Sequence, residues 1–411
     1  MEGELSACGS AASPATHASS IPITGVVKRG SRSDICYSFA PQLTCHEAGA
    51  LVPRGLVART AEEARAAVEE LGNNSLLSAQ LLKRKEAADL VARSPQQAAQ
   101  LAADLLRSSN DGSIVAKELY ISQPASHDEV WYLAMTIDRE ACQPAIVISP
   151  HGGQDIRSIA AQHPGSIRTY PFSLDEGIRA PLVSRIASDL GLSDSPAEAA
   201  SLGRTLTALH RIFRDREGLL LEVRSLARGS DGFTCADSQF VFDDDAHGRQ
   251  AALFALRDRA QEVRDEVEAE RHGLVYVRME GDVGNVVNGA GLAMATNDAI
   301  GLAGGRSANF LDAGGQATTQ TMMQAFGIVL RDERVKSILV NIYGGITRCD
   351  MIAESIIGAA KEMNIHVPMV VRLQGTNSEA GLKLLADANL GLHVESDFGK
   401  AAAKAVELAK A

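Results

Sequence analysis

From residue 273 onward, short apolar runs alternate with amphipathic stretches. The runs near 274 to 278, 308 to 312, 337 to 342, 367 to 373 and 391 to 394 have strand length, and helical periodicity follows each. Such alternation predicts an α/β fold with a doubly wound parallel sheet, whose ligands sit beyond the carboxyl ends of the strands. Upstream the pattern is mixed. Residues 60 to 71 carry alanine and valine at helical spacing behind Thr60, a good N-cap, and 94 to 106 repeat the pattern behind Pro95. Apolar runs at 131 to 135 and 145 to 149 read as strands joined by a turn at 138 to 142. A helical hairpin over 182 to 216 precedes strands at 218 to 223 and 233 to 236. The charged stretch 248 to 271 reads as one helix bridging two domains. The expected division is a disordered leader (1–40), a mixed domain (41–245), a linker helix (246–272) and the sheet domain (273–411).

Three strand ends in the last domain run into glycine turns. Val275-Tyr276-Val277 leads through Gly281 and Gly284 to Asn288-Gly289-Ala290-Gly291, Asn309-Phe310-Leu311-Asp312 leads to Gly314-Gly315, and Asn341-Ile342-Tyr343 leads to Gly344-Gly345. Glycine lets the backbone turn sharply, and the helix behind it offers unpaired N–H groups and the positive end of a dipole. A turn of this kind is suited to a phosphate or carboxylate. Near Ile346-Thr347, where the third helix is expected to begin, this gives a candidate anion site.

Composition narrows the partners. The 411 residues carry a net charge of -11 with no basic cluster, which argues against nucleic acid, and no apolar run approaches the ~20 residues of a membrane span. A soluble protein is expected. Its six cysteines lack CxxC or zinc spacing and fit a reducing compartment. Cys45-His46, read as adjacent strand residues facing opposite ways, is no ligand pair. The first forty residues are rich in serine and alanine with Lys28, Arg29 and Arg32, a weakly basic leader consistent with import into the mitochondrial matrix; the cytoplasm is the alternative.

The glycine motifs carry a family resemblance. The run from Gly281 through Asn288 to Met294, then Asn309 to Gly315, then Asn341-Ile342-Tyr343-Gly344-Gly345-Ile346-Thr347 and finally Val371-Arg372-Leu373-Gln374-Gly375-Thr376-Asn377 closely resemble the β subunit of succinyl-CoA synthetase. The resemblance implies a flavodoxin-like CoA-ligase domain preceded by an ATP-grasp domain. It implies an acid–thiol ligase of the tricarboxylic acid cycle, working as a heterodimer through succinyl phosphate and a phosphohistidine on an α-type subunit that also holds CoA. Carried onto this chain, succinate falls to Asn288, Gly345, Ile346 and Thr347, the nucleotide to Glu118, catalysis to Glu222 as the carboxylate that orients the histidine, and metal to Asp237. The cofactors implied are Mg2+ and ATP or GTP.

The ATP-grasp half departs from its pattern. Between Gly72 and Gly112 there is no glycine, so no glycine-rich loop can wrap phosphates; Lys83, Arg84 and Lys85 stand in that stretch, as point charges toward phosphate or as a solvated helix face. In Glu222-Val223-Arg224-Ser225, Arg224 replaces the family's asparagine metal ligand, and a guanidinium cannot coordinate a cation. Either Arg224 neutralises the phosphates itself or the site no longer takes Mg-nucleotide. Two readings follow: a divergent ligase β subunit, or a non-catalytic paralogue that keeps α-subunit binding for assembly or regulation. Succinate against a similar dicarboxylate, and ATP against GTP, stay open.

Overall fold

Strand periodicity of two sorts side chains onto opposite faces, and the sheets of this chain are built from that rule. The computed structural model describes residues 40–79, 90–106, 116–153, 155–230, 232–257, 259–315, 318–362 and 367–411. The expected leader up to residue 39 and the Lys83, Arg84 and Lys85 stretch lie outside the described residues.

The first sheet contains β1 (Gly55–Ala58), β2 (Ser75–Ala79), β3 (Leu90–Ala92) and β4 (Leu119–Ser122) in the antiparallel order β1-β4-β2-β3. Helices Ala61–Leu71 and Pro95–Leu105 supply its core through Ala64, Val68, Ala98 and Ala102. Both helices start where local chemistry dictates. Thr60 and Ser94 accept hydrogen bonds from the amides of Glu63 and Gln97, three residues on.

The second sheet, β5 (Glu129–Asp138), β6 (Gln143–Ser149), β7 (Arg168–Pro171), β8 (Gly218–Gly229) and β9 (Gly232–Phe242), is antiparallel in the order β7-β6-β5-β8-β9. Along β5, Trp131, Leu133 and Met135 enter the main core with Leu206, Leu209 and Phe213 of helix Pro196–Asp215. Tyr132 and Ala134 point the other way and meet Ile159 of helix Ile156–Gln162. That second face carries the polar groups considered below. Cys45 and His46 lie on helix Ala40–Ala48 rather than on a strand, Cys45 buried and His46 exposed.

The third sheet has six strands, β10 (Val275–Arg278), β11 (Val283–Val287), β12 (Asn309–Asp312), β13 (Ser337–Gly344), β14 (Met369–Gly375) and β15 (His393–Val394), in the order β10-β12-β11-β13-β14-β15. All neighbours are parallel except β10, which pairs antiparallel with β12 at the edge. The doubly wound expectation holds with two corrections: β11 is a strand where the sequence suggested a glycine turn, and no helix separates β10 from it. Along β13, Ile338, Val340 and Ile342 pack on helices Thr319–Arg331 and Cys349–Glu362, while Leu339 meets Ala401 and Ala405 of helix Phe398–Lys410. Burial on both faces explains why this strand is a continuous apolar run.

The stretch expected as one bridging helix is broken. Among the described residues it holds the helices Ala251–Phe254 and Arg264–Arg271 and a 3-10 turn at Arg259–Gln261, and a further 3-10 turn, Asp244–Ala246, precedes it. No helix among the described residues is long and apolar enough to cross a membrane.

Candidate functional site

At the carboxyl ends of β11, β12 and β13 the three glycine turns meet, and polar side chains tie them together. Asn288, just past β11, spans to Tyr343: its Nδ2 donates to the Tyr343 carbonyl and its Oδ1 accepts from the Tyr343 amide, both at 2.9 Å. Thr347 is buried and donates its hydroxyl to the Gly315 carbonyl at 2.8 Å. Thr376 donates to the Gly345 carbonyl at 3.0 Å, and its own carbonyl receives the Cys349 amide. Asn288, Gly345, Ile346 and Thr347, named separately from sequence, therefore belong to one constellation.

Asp312 separates the turns into two kinds. Its Oδ1 accepts from the amides of Gly289 at 2.6 Å and Gly314 at 2.7 Å, and both glycines have positive φ, +93° and +75°. Gly289 is the N-cap of helix Ala290–Leu302, so an internal carboxylate already sits at that helix start. The Gly344-Gly345 turn differs. Among the described residues nothing accepts from the amides of Gly345, Ile346 and Thr347, and helix Cys349–Glu362 begins three residues later than Ile346, not at it. The charged side chains beside the turn cancel: the Arg348 guanidinium reaches Asp350 at 2.5 Å and holds its carboxyl down at about 2. The potential left for an anion is that of the backbone. Sequence reasoning did not give Asp312 this role, although an Asp two residues before a turn glycine was a readable signal.

Around β8 the second constellation forms. Glu222 accepts a hydrogen bond from Tyr132 Oη at 2.6 Å, and burial pushes its carboxyl above the ordinary range. Asp155 caps helix Ile156–Gln162 through the amides of Arg157 and Ser158 and lies close enough to act electrostatically on Glu222 and Tyr132. Asp237, on β9, forms an ion pair with Arg224 at 2.9 Å. Glu118, just before β4, pairs instead with Arg59 at 2.8 Å. Among the described residues no hydrogen bond or ion pair joins Glu118 to Glu222 or Asp237, or any of them to the Gly345 turn. Tyr132 escaped the sequence reading because only the β5–β8 pairing brings it to Glu222.

These residues do not fit a divalent ion held at Asp237. Its carboxylate faces a guanidinium, and no group of three or more His, Cys, Asp or Glu among the described residues is arranged to hold a metal. His151, in the turn after β6, is exposed and stacks on His163 with ring centroids 3.8 Å apart.

Comparison with known proteins agrees with both halves. The ATP-grasp domain pattern matches residues 37–228 and the CoA-ligase pattern residues 286–406. The mitochondrial β subunit of ADP-forming succinate–CoA ligase from Neurospora crassa is 36% identical over 99% of this chain and 94% of its own length. The corresponding subunit from Anaeromyxobacter dehalogenans is 39% identical over 88% of this chain and 96% of its own. In fold the chain is similar to the ATP citrate lyase of Methanothrix soehngenii, with TM-score 0.63 at 19% identity over 86% of this chain and 92% of that one. The chain belongs to the succinate–CoA ligase β-subunit family.

Proposed function

We infer that this chain is the β subunit of a succinate–CoA ligase, an acid–thiol ligase of the tricarboxylic acid cycle. Family membership implies use of a nucleotide and Mg2+, and an α-type partner. The non-catalytic alternative is not favoured, since the relatives above are named as ligase subunits. Within this reading the finer roles are proposals. Gly345, Ile346 and Thr347 offer their amides to the succinate carboxylate and to the phosphoryl group carried by the partner's histidine. Asn288 holds the Tyr343 backbone so that those amides face outward. Glu118 contacts the nucleotide. Glu222, whose carboxyl burial pushes above the ordinary range while the hydrogen bond from Tyr132 pulls it back, orients the histidine at the nucleotide end. CoA stays with the partner. ADP-forming relatives favour ATP over GTP, and the mitochondrial relative favours the matrix over the cytoplasm.

The observation that carries the reading is the Gly344-Gly345 turn, whose amides are unclaimed while Asp312 fills the two turns beside it. The chemistry matches, because fixed backbone donors stabilise developing phosphoryl and carboxylate charge without offering an acidic proton to compete. The test is reconstitution. The full chain with an α-type subunit, succinate and CoA is expected to form the thioester with ATP, faster than with GTP. No thioester with either nucleotide would sink the ligase reading.

A further inference from the structure

Arg224 brings a cation to the Glu222 cluster for which the ligase reading has no use. It lies where the β8–β9 register slips between Val223 and Ser225, two residues from Glu222 along the strand. Its Nη2 stands 2.9 Å from Asp237 Oδ2, with 24% and 31% of the two side chains exposed. Its Nε is buried and has no acceptor among the described residues. The backbone at this point is held as well. Gly153 donates its amide to the Arg224 carbonyl at 2.7 Å, and a Cβ on Gly152 would lie 2.2 Å from the Trp131 carbonyl oxygen. The turn after β6 is thus packed down on the irregularity, and the guanidinium is fixed beside Asp237.

The other carboxylates facing it are already engaged. Asp155 caps a helix, and Glu222 accepts from Tyr132. Asp237 is left as the carboxylate that a divalent ion would need, and it meets a permanent cation instead. We propose that Arg224 is a resident cation of the nucleotide site, standing beside Asp237 in place of a divalent ion and offering its remaining donors to the phosphate oxygens of a nucleoside di- or triphosphate. A guanidinium suits that task, being planar, permanently charged and matched to phosphate by paired donors. A divalent ion brought beside it is repelled, so Mg2+ enters on the phosphates and not on Asp237. The inference rests on the nucleotide-dependent reading above.

The experiment has two arms on the full chain with its α-type partner. In calorimetric titration with ADP, replacing Mg2+ by EDTA is expected to weaken wild-type binding by less than about threefold, whereas Arg224→Asn loses about tenfold or more and recovers with Mg2+. Arg224→Lys, which keeps the charge but loses the paired donors, is expected to fall between the wild type and Arg224→Asn. In the second arm, Mn2+ alone is followed by electron paramagnetic resonance; Arg224→Asn should bind it at least about tenfold more tightly than the wild type. A wild-type chain that loses ADP on metal removal, or that binds Mn2+ as well as the variant does, overturns the proposal. If ADP binds nowhere, the nucleotide reading fails, and the Mn2+ arm still decides the role of Arg224.

Discussion

Gly344 and Gly345 are neighbours with opposite tolerances. A Cβ on Gly344 would lie 2.8 Å from the Thr376 amide nitrogen and 2.9 Å from Cys349 Sγ, whereas one on Gly345 meets nothing within 4 Å. Gly344→Ala is therefore expected to lower stability by about 1–3 kcal/mol through overpacking, read as a fall in melting temperature. Gly345→Val should melt like the wild type yet lose thioester formation by about a hundredfold or more, because its side chain occupies the space where the amides meet their anion. Normal turnover in that variant would remove the anion role from the turn. Glu222 gives a test with a definite sign. Its folded carboxyl titrates above the ordinary 4.5, so the stability it contributes is complete below that pH and is lost as pH rises through the shifted value. Glu222→Gln keeps an acceptor for Tyr132 and cannot ionise. Its unfolding free energy relative to wild type should rise from acid to neutral pH, and a pH-independent difference would contradict the burial argument. The sequence shows both glycines and the carboxylate plainly. It does not show which glycine is the steric one or that Asp312 fills two turns, because both depend on how β11, β12 and β13 are paired.

Helices with local start signals were legible for a physical reason: Thr60 and Ser94 satisfy amides only three residues away, so cap and helix can be read together. β11 was not legible. Gly284 and Asn285 interrupt its apolar run, yet both are buried, and Asn285 and Asn309 exchange side-chain hydrogen bonds with each other's backbone at 2.6 to 3.0 Å. Side-chain amides thus fill a ladder whose backbone pairs lie at its two ends, Val287 with Asp312 and Val283 with Ser307 just before β12. The connecting stretch failed for the opposite reason. Its charges have good helix propensity, but two of them, Arg257 and Glu262, leave the surface and draw Glu270 toward them. Arg257 reaches Glu262 at 2.6 Å and Glu270 at 2.9 Å, and Glu262 is only 3% exposed. Drawing those groups together requires the chain to turn back between Phe254 and Arg264, which a continuous helix forbids. Arg331 then fastens helix Arg264–Arg271 to helix Thr319–Arg331 through Asp265 and Glu268. Arg257→Ala leaves a buried carboxylate unpaired, and a loss of about 3–5 kcal/mol is expected in urea unfolding. A loss below about 1 kcal/mol would mean the triad is solvated and does not hold the break.

At the scale of the molecule, the anion turn proposed above would be half of an enclosure that a partner completes. Ile346 is 79% exposed and Tyr343 60%, and Met294, near the start of helix Ala290–Leu302, is 54% exposed. Tyr343 and Ile346 flank the unclaimed amides and Met294 lies on the helix that Asp312 caps, all three open to water. Water competes with any anion there and screens the dipole, so backbone donors that are strong in a dry site are weak on this one. An α-type partner laid over the same rim removes that water and leaves the amide geometry unchanged, since Asn288, Thr347 and Thr376 already fix it from within the chain. Succinate is therefore expected to bind the isolated chain only weakly and the complex at least about tenfold more tightly, measured by calorimetric titration of each. In Gly345→Val that gain should disappear while assembly with the partner, followed by size-exclusion chromatography, persists. Equal affinity for succinate in the isolated chain and in the complex would mean that the turn is complete by itself, and the half-site account would have to be abandoned.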